Sequence, residues 1–213
     1  MSRPTRLYLV RHGETNANRD RLVVGSTDIP LNDTGRAQAA ATARLMAGRR
    51  WAALYSSTLS RAIETARIIG EATGLGEPVQ DPRLVEQDFG TAEGWTEDEL
   101  MARYPDYDFD DIPGRERDAA VVERVLEALR DIGDRHQGED VIVVCHGGVI
   151  YWVLRTLDPT HVEWGIRNAS VHSFLHEEGA LTLIEYDDPL EPASDALGGG
   201  EFEEQNPAVP RSE

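Results

Sequence analysis

Leu7-Tyr8-Leu9-Val10-Arg11-His12-Gly13-Glu14-Thr15 is the stretch on which the fold turns. Four apolar, β-prone residues stop abruptly at Arg-His-Gly, the length of a short buried strand. The polar residues that follow, with Asn16, Asn18 and Gly25, suit a loop. His12 therefore stands at the C-terminal lip of a strand, where ligands bind in open α/β sheets. Gly13 carries no Cβ and is expected to leave room for a ligand to approach the backbone. Arg11 sets a permanent cation with phosphate-matching fork geometry beside an imidazole. A neutral imidazole nitrogen can act as a nucleophile.

Outward from this stretch, the device repeats. Val141-Ile142-Val143-Val144-Cys145 is a continuous apolar run, as expected of a strand buried on both faces, and it stops at His146-Gly147-Gly148. A helix is expected from Val149 to Leu157, with its N-terminal N–H groups turned toward the loop, where anions are favoured. A third strand, Trp51 to Tyr55, leads through Ser56-Ser57-Thr58 into a helix from Leu59 to about Thr73. That puts Arg61 just past another strand end. Taken alone, Arg61 reads first as an exposed salt-bridge partner of Glu64.

Between these elements, Asn32, Asp33 or Thr34 caps an alanine-rich helix reaching about Ala47. A small strand is expected at residues 78–80. Glu86 lies between Val85 and a glycine-containing turn, as an exposed carboxylate or as a general acid held partly buried. A short helix covers 96–103. Residues 104–118, acidic, aromatic and irregular, read as a lid or as a plain surface loop. A longer amphipathic helix runs from Asp118 to about His136. Two alternating runs around Glu178-Gly179 form a hairpin. His172 and His176 share one of its faces and are expected to be surface residues rather than a metal pair. From Asp187 the chain turns rich in Asp, Glu, Pro and Gly, as expected of a disordered acidic tail.

The 213 residues suffice for one full core. All 21 basic residues are arginine, so lysine chemistry is excluded. Net charge is −18, a poor match for nucleic acid or anionic lipid. No apolar run reaches a membrane span, and Met1 to Arg6 lacks the apolar stretch of a signal peptide. With one cysteine, Cys145, these features lead us to expect a cytoplasmic protein. No metal site and no cofactor are expected, and a homodimer is one open assembly.

Arg11-His12, Arg61, His146 and Glu86 form a set suited to phosphoryl transfer. Two arginines hold a dianion, one histidine attacks, a second donates, and a carboxyl group serves the leaving oxygen. On these residues the chain resembles the histidine phosphatase superfamily, also called phosphoglycerate-mutase-like. Leu9 to Thr15 with Asn18 resembles its signature. Ser56-Ser57 with Arg61-Ala62 and Thr65-Ala66, Glu86 with Glu93-Gly94, Val144 to Gly148, and Asn168-Ala169-Ser170 follow in family order.

The resemblance implies an α/β three-layer sandwich with a mixed, mostly parallel sheet flanked by helices. It implies a catalytic domain over residues 1–186, with 187–213 as tail. It implies His12 as the phosphorylated nucleophile and Glu86 as acid and base. Arg11, Asn18, Arg61, His146 and Gly147 would form the phosphate pocket, without a metal. The expected activity is hydrolysis of small-molecule phosphomonoesters. The alternatives are a 2,3-bisphosphoglycerate-dependent phosphoglycerate mutase and a non-catalytic binding protein. Residues 87–111 hold a single arginine, Arg103, among many carboxylates, a poor clamp for a second phosphate. The family's usual Trp, Pro-Gly-Gly-Glu-Ser and Ser or Thr are replaced by Ala92, Pro113-Gly114-Arg115-Glu116-Arg117 and Cys145.

Overall fold

The two strand–histidine–glycine segments lie side by side at the centre of one sheet. In the computed structural model, which describes residues 3–105, 109–159 and 165–190, strands β1 (Thr5–Arg11) and β4 (Asp140–Cys145) pair in parallel. Their register sets Arg11 opposite Cys145, so His12 and His146 leave the sheet together. β2 (Ala53–Ser56) pairs in parallel with β4, and β3 (Val79–Gln80) with β2. On the other flank β5 (Val171–Glu177) runs antiparallel to β1, and β6 (Ala180–Glu185) closes a hairpin with β5. The order is β3-β2-β4-β1-β5-β6, a mixed and mostly parallel sheet. Glu178 and Gly179 both take positive φ, 50° and 80°, as the hairpin turn requires.

Alternation along the central strands makes three layers. Leu7, Leu9, Val141, Val143 and Cys145 face one side, packing on α5 (Asp118–Arg135) and α6 (Gly147–Leu157). Tyr8, Val10, Ile142 and Val144 face the other, against α2 (Asp33–Met46) and α3 (Ser60–Thr73). Burial on both faces explains why β1 and β4 read as continuous apolar runs. Asn32 caps α2 by accepting from Gly35 N at 2.8 Å. The helices and strands thus fall within a few residues of their expected places.

Two short helices, α1 (Asn16–Arg19) and α4 (Glu97–Arg103), lie on the excursions that rim the site. A small third cluster, Val23, Ala92, Leu100 and Ile112, ties those excursions together. Ile112 is buried there, and Phe89 bridges to Arg115. Residues 106–108 of the expected lid, and 191–213 of the expected tail, lie outside the described residues. Before that point Leu190 is buried against the α2–α3 side.

His172 and His176 are not surface residues. Both are buried, at 1% and 4% exposure. His172 Nδ1 accepts from the Asp187 backbone at 3.1 Å, and its Nε2 lies 3.0 Å from Ser170 Oγ. Burial pushes His172 down to about 4. Among the described residues no helix is long and apolar enough to cross a membrane.

Candidate active site

The site forms where β1, β2 and β4 end, because parallel strands deliver their following loops to one lip. His12 follows β1 directly, and its backbone N–H donates to Cys145 O at 3.0 Å. The ring is 4% exposed, and its Nδ1 lies 2.7 Å from Gly13 O. A carbonyl only accepts, so Nδ1 carries the hydrogen and Nε2 is left with its lone pair. Burial, then the nearby Arg11 and Arg61, hold His12 well below the ordinary histidine value.

Arg11, the last residue of β1, directs Nη1 to Ile166 O. Its buried Nε has no protein partner. Burial lowers it to about 10, against the opposing pull of Glu86. Arg61 sits in the first turn of α3 and is 2% exposed. It donates to Thr27 O at 2.9 Å and Gly25 O at 2.8 Å. The alternative partner, Glu64, is taken by Arg36 at 2.7 Å. Burying a guanidinium costs several kcal/mol after relaxation. The two carbonyls, with Glu86, Asp28 and Glu93 nearby, offset that cost for Arg61.

His146 is the N-cap residue of α6 and is fully buried. Its ring centroid lies 5.1 Å from that of His12. Its Nε2 is 2.8 Å from Ser57 Oγ, while Nδ1 is buried without a protein partner. Burial, then the cations Arg61 and Arg11, hold this ring well below the ordinary histidine value too. Glu86, 7% exposed, reaches the N-terminus of α6: its carboxylate accepts from Gly148 N and Gln87 N, both at 2.9 Å. The helix terminus expected to attract an anion thus takes this carboxylate. A Cβ at position 148 would lie 2.5 Å from Glu86 Oε1, and one at Gly147 would lie 3.2 Å from Arg11 Nε. Gly13 serves a purpose other than the expected one. A side chain there would run into the Gly35 backbone, so the space beside it belongs to α2 and not to a ligand.

Asn18 lies in α1. Its Oδ1 accepts from Thr15 N and Thr15 Oγ1, both at 3.1 Å, and from Asn168 Nδ2 at 3.3 Å. Every sequence-derived candidate therefore converges on this lip. Four supports carried no assigned role in the sequence. Ser57 contacts His146. Thr65 Oγ1 accepts from Gly13 N at 3.1 Å. Asn168 Nδ2 donates to His12 O at 3.1 Å. Glu93 accepts from Ser26 N and Thr27 N, at 2.8 and 3.0 Å, and so fixes the loop whose carbonyls hold Arg61. Ser57 and Asn168 stand beside strand ends, a usable signal, whereas Glu93 was named only as a motif member and its partners, Ser26 and Thr27, emerge only in the tertiary structure. Among the described residues no three His, Cys, Asp or Glu side chains gather as metal ligands.

The whole arrangement has known relatives. The family model of the histidine phosphatase superfamily (branch 1) matches residues 7–189. Phosphoglycerate mutase-like protein 4 of Arabidopsis thaliana is 38% identical over 191 residues, 84% of this chain and 83% of that protein. The metal-independent phosphoserine phosphatase of Arabidopsis thaliana is 35% identical over 181 residues, 80% of this chain and 76% of that protein. The crystal structure of phosphoglycerate mutase from Bacillus anthracis superimposes with a TM-score of 0.79 at 25% identity, covering 88% of this chain and 94% of that one. With its motifs in order and its candidate residues on one lip, the chain belongs to the histidine phosphatase superfamily, branch 1, and is a phosphoric monoester hydrolase of that type.

Proposed function

We propose that the enzyme hydrolyses small-molecule phosphomonoesters, without a metal, through a phosphohistidine on His12. The observation that carries this reading is the Nδ1 contact of His12 with Gly13 O at 2.7 Å, which leaves the Nε2 lone pair for attack. Nε2 bonds to phosphorus as the bond to the ester oxygen breaks. Glu86 gives its proton to the departing oxygen, releasing an alcohol. Its carboxylate then takes a proton from water, whose oxygen attacks phosphorus. The N–P bond breaks, phosphate leaves, and His12 is regenerated.

Arg11, Arg61, Asn18 and the N–H of Gly147 orient the phosphoryl oxygens. With the Ser57 hydroxyl donating to Nε2 of His146, Nδ1 of that ring carries the hydrogen and donates as charge develops. A bound dianion raises His146 toward protonation, which strengthens this donor. Two guanidinium groups beside two imidazoles disfavour a divalent cation, which supports metal independence. The metal-independent phosphoserine phosphatase among the relatives supports a small, singly phosphorylated substrate.

Phosphorus NMR in the presence of chelator tests this. The sample holds 3-phosphoglycerate, a trace of 2,3-bisphosphoglycerate and a generic phosphomonoester. Release of phosphate without 2-phosphoglycerate is expected. Rapid appearance of 2-phosphoglycerate would identify a mutase, and loss of hydrolysis in chelator would end the metal-free mechanism. Leu190 packs with the α2–α3 side of the core. Removing residues 191–213 should leave kcat/KM nearly unchanged, whereas cutting at 187 also removes a buried leucine and should lower the unfolding free energy by about 2–5 kcal/mol.

A further inference from the structure

Arg124 lies on α5, outside the phosphate pocket, yet all five of its donors are engaged around the segment that carries Glu86. Nη1 donates to Arg83 O and Val85 O, both at 2.7 Å. Nη2 donates to Glu86 O at 3.3 Å and to Glu116 Oε2 at 2.8 Å. Nε donates to Glu116 Oε1 at 2.8 Å. A guanidinium has five N–H groups in a rigid fork, so the set is complete, and a lysine with three donors could not make it.

The clamp is itself held. Glu116 grips Arg124 through both carboxylate oxygens, and Glu116 O accepts from Gln87 Nε2 at 2.8 Å. Gln87 in turn accepts from Trp152 Nε1 on α6 at 3.1 Å. Glu86 is thus fixed at its carbonyl by Arg124 and at its carboxylate by the α6 N-terminus. The carboxylate has little freedom there, because Gly148 packs directly under it.

We propose that Arg124, locked by Glu116, is a positioning residue that sets the proton-donating carboxyl of Glu86 against the leaving oxygen. This rests on the reading of Glu86 as the general acid. No new bond is made: the proton travels from Glu86 to the ester oxygen as in the reaction above, and Arg124 fixes where that proton starts.

A general acid matters most when the leaving group is a poor one. The test therefore compares kcat/KM, which reads phosphoryl transfer to the enzyme, on an alkyl phosphomonoester and on 2,4-dinitrophenyl phosphate. The second leaving group departs without a proton. Glu86→Gln is the reference, and should cut the alkyl substrate about 10²–10⁴-fold while largely sparing the aryl one. Arg124→Met and Arg124→Lys should show the same selective pattern, about 10–10²-fold on the alkyl substrate. Glu116→Gln should show it at about 3–10-fold, and it keeps the test alive if the Arg124 variants do not fold. Arg124→Met on top of Glu86→Gln should cost little more.

Equal losses on both substrates in the Arg124 and Glu116 variants would overturn the proposal while leaving the acid assignment intact. Full additivity with Glu86→Gln would do the same. A Glu86→Gln variant without leaving-group selectivity would overturn both.

Discussion

β1–His12 and β4–His146 are the same local device on neighbouring strands, and they are wired in opposite senses. His12 spends Nδ1 on the carbonyl of its own neighbour and leaves Nε2. His146 engages Nε2 with Ser57, from a different strand end, and leaves Nδ1. After His12 the chain turns into an irregular excursion, whereas after His146 it enters a helix directly. Strand, histidine and glycine therefore deliver a ring to the lip, but the partner of each ring nitrogen assigns its chemistry.

The largest effect should separate the two rings outright. His12→Ala is expected to lower kcat/KM by about 10⁴-fold or more and to abolish acid-labile phosphorus-32 labelling of the protein. His146→Ala should lower kcat/KM by about 10²–10³-fold while the label still forms. Labelling that survives in His12→Ala and vanishes in His146→Ala would reverse the assignment.

The two rings should behave alike in one respect. Both, with His172, are held below the ordinary histidine value of 6.5. Below that value the unfolded chain binds protons that the folded one refuses. Stability therefore falls as pH drops below about 6.5, by up to about 1.4 kcal/mol per histidine per pH unit. For His172 the loss continues to about pH 4. Urea unfolding from pH 7.5 to 4.5 would show this, and His172→Asn should flatten the slope. An unchanged slope would mean that this ring takes up protons while folded. Smallest is Ser57→Ala, expected to cost about 10-fold in kcat/KM with labelling at His12 retained. A loss as large as that of His146→Ala would make Ser57 a participant in its own right.

Much of the frame was legible. Apolar runs that stop at His-Gly marked the lip, and Asn32 with the alanine-rich stretch marked α2. The side chains of His172 and His176 were misjudged because strand alternation tells which residues share a face, not what covers it. Gly133 of α5 leaves its own space to the His176 ring, which no pattern within the hairpin discloses. The wiring was invisible for a related reason. Ser57 and His146 are 89 residues apart, and Asn168 and His12 are 156 apart. Such pairs exist only once the sheet order is known. Arg61 was legible as a candidate but not as a buried one, since its sequence neighbour Glu64 offered a simpler partner.

Arg61 also bears on how the enzyme meets its substrate. Its fork is docked on the backbone carbonyls of Gly25 and Thr27. An arginine carries roughly 2 kcal/mol of rotamer entropy, and here that disorder is surrendered when the chain folds, not when it binds. In the proposed reaction, capture of a phosphate then proceeds as a rigid encounter, with little heat or time spent on rearranging this side chain.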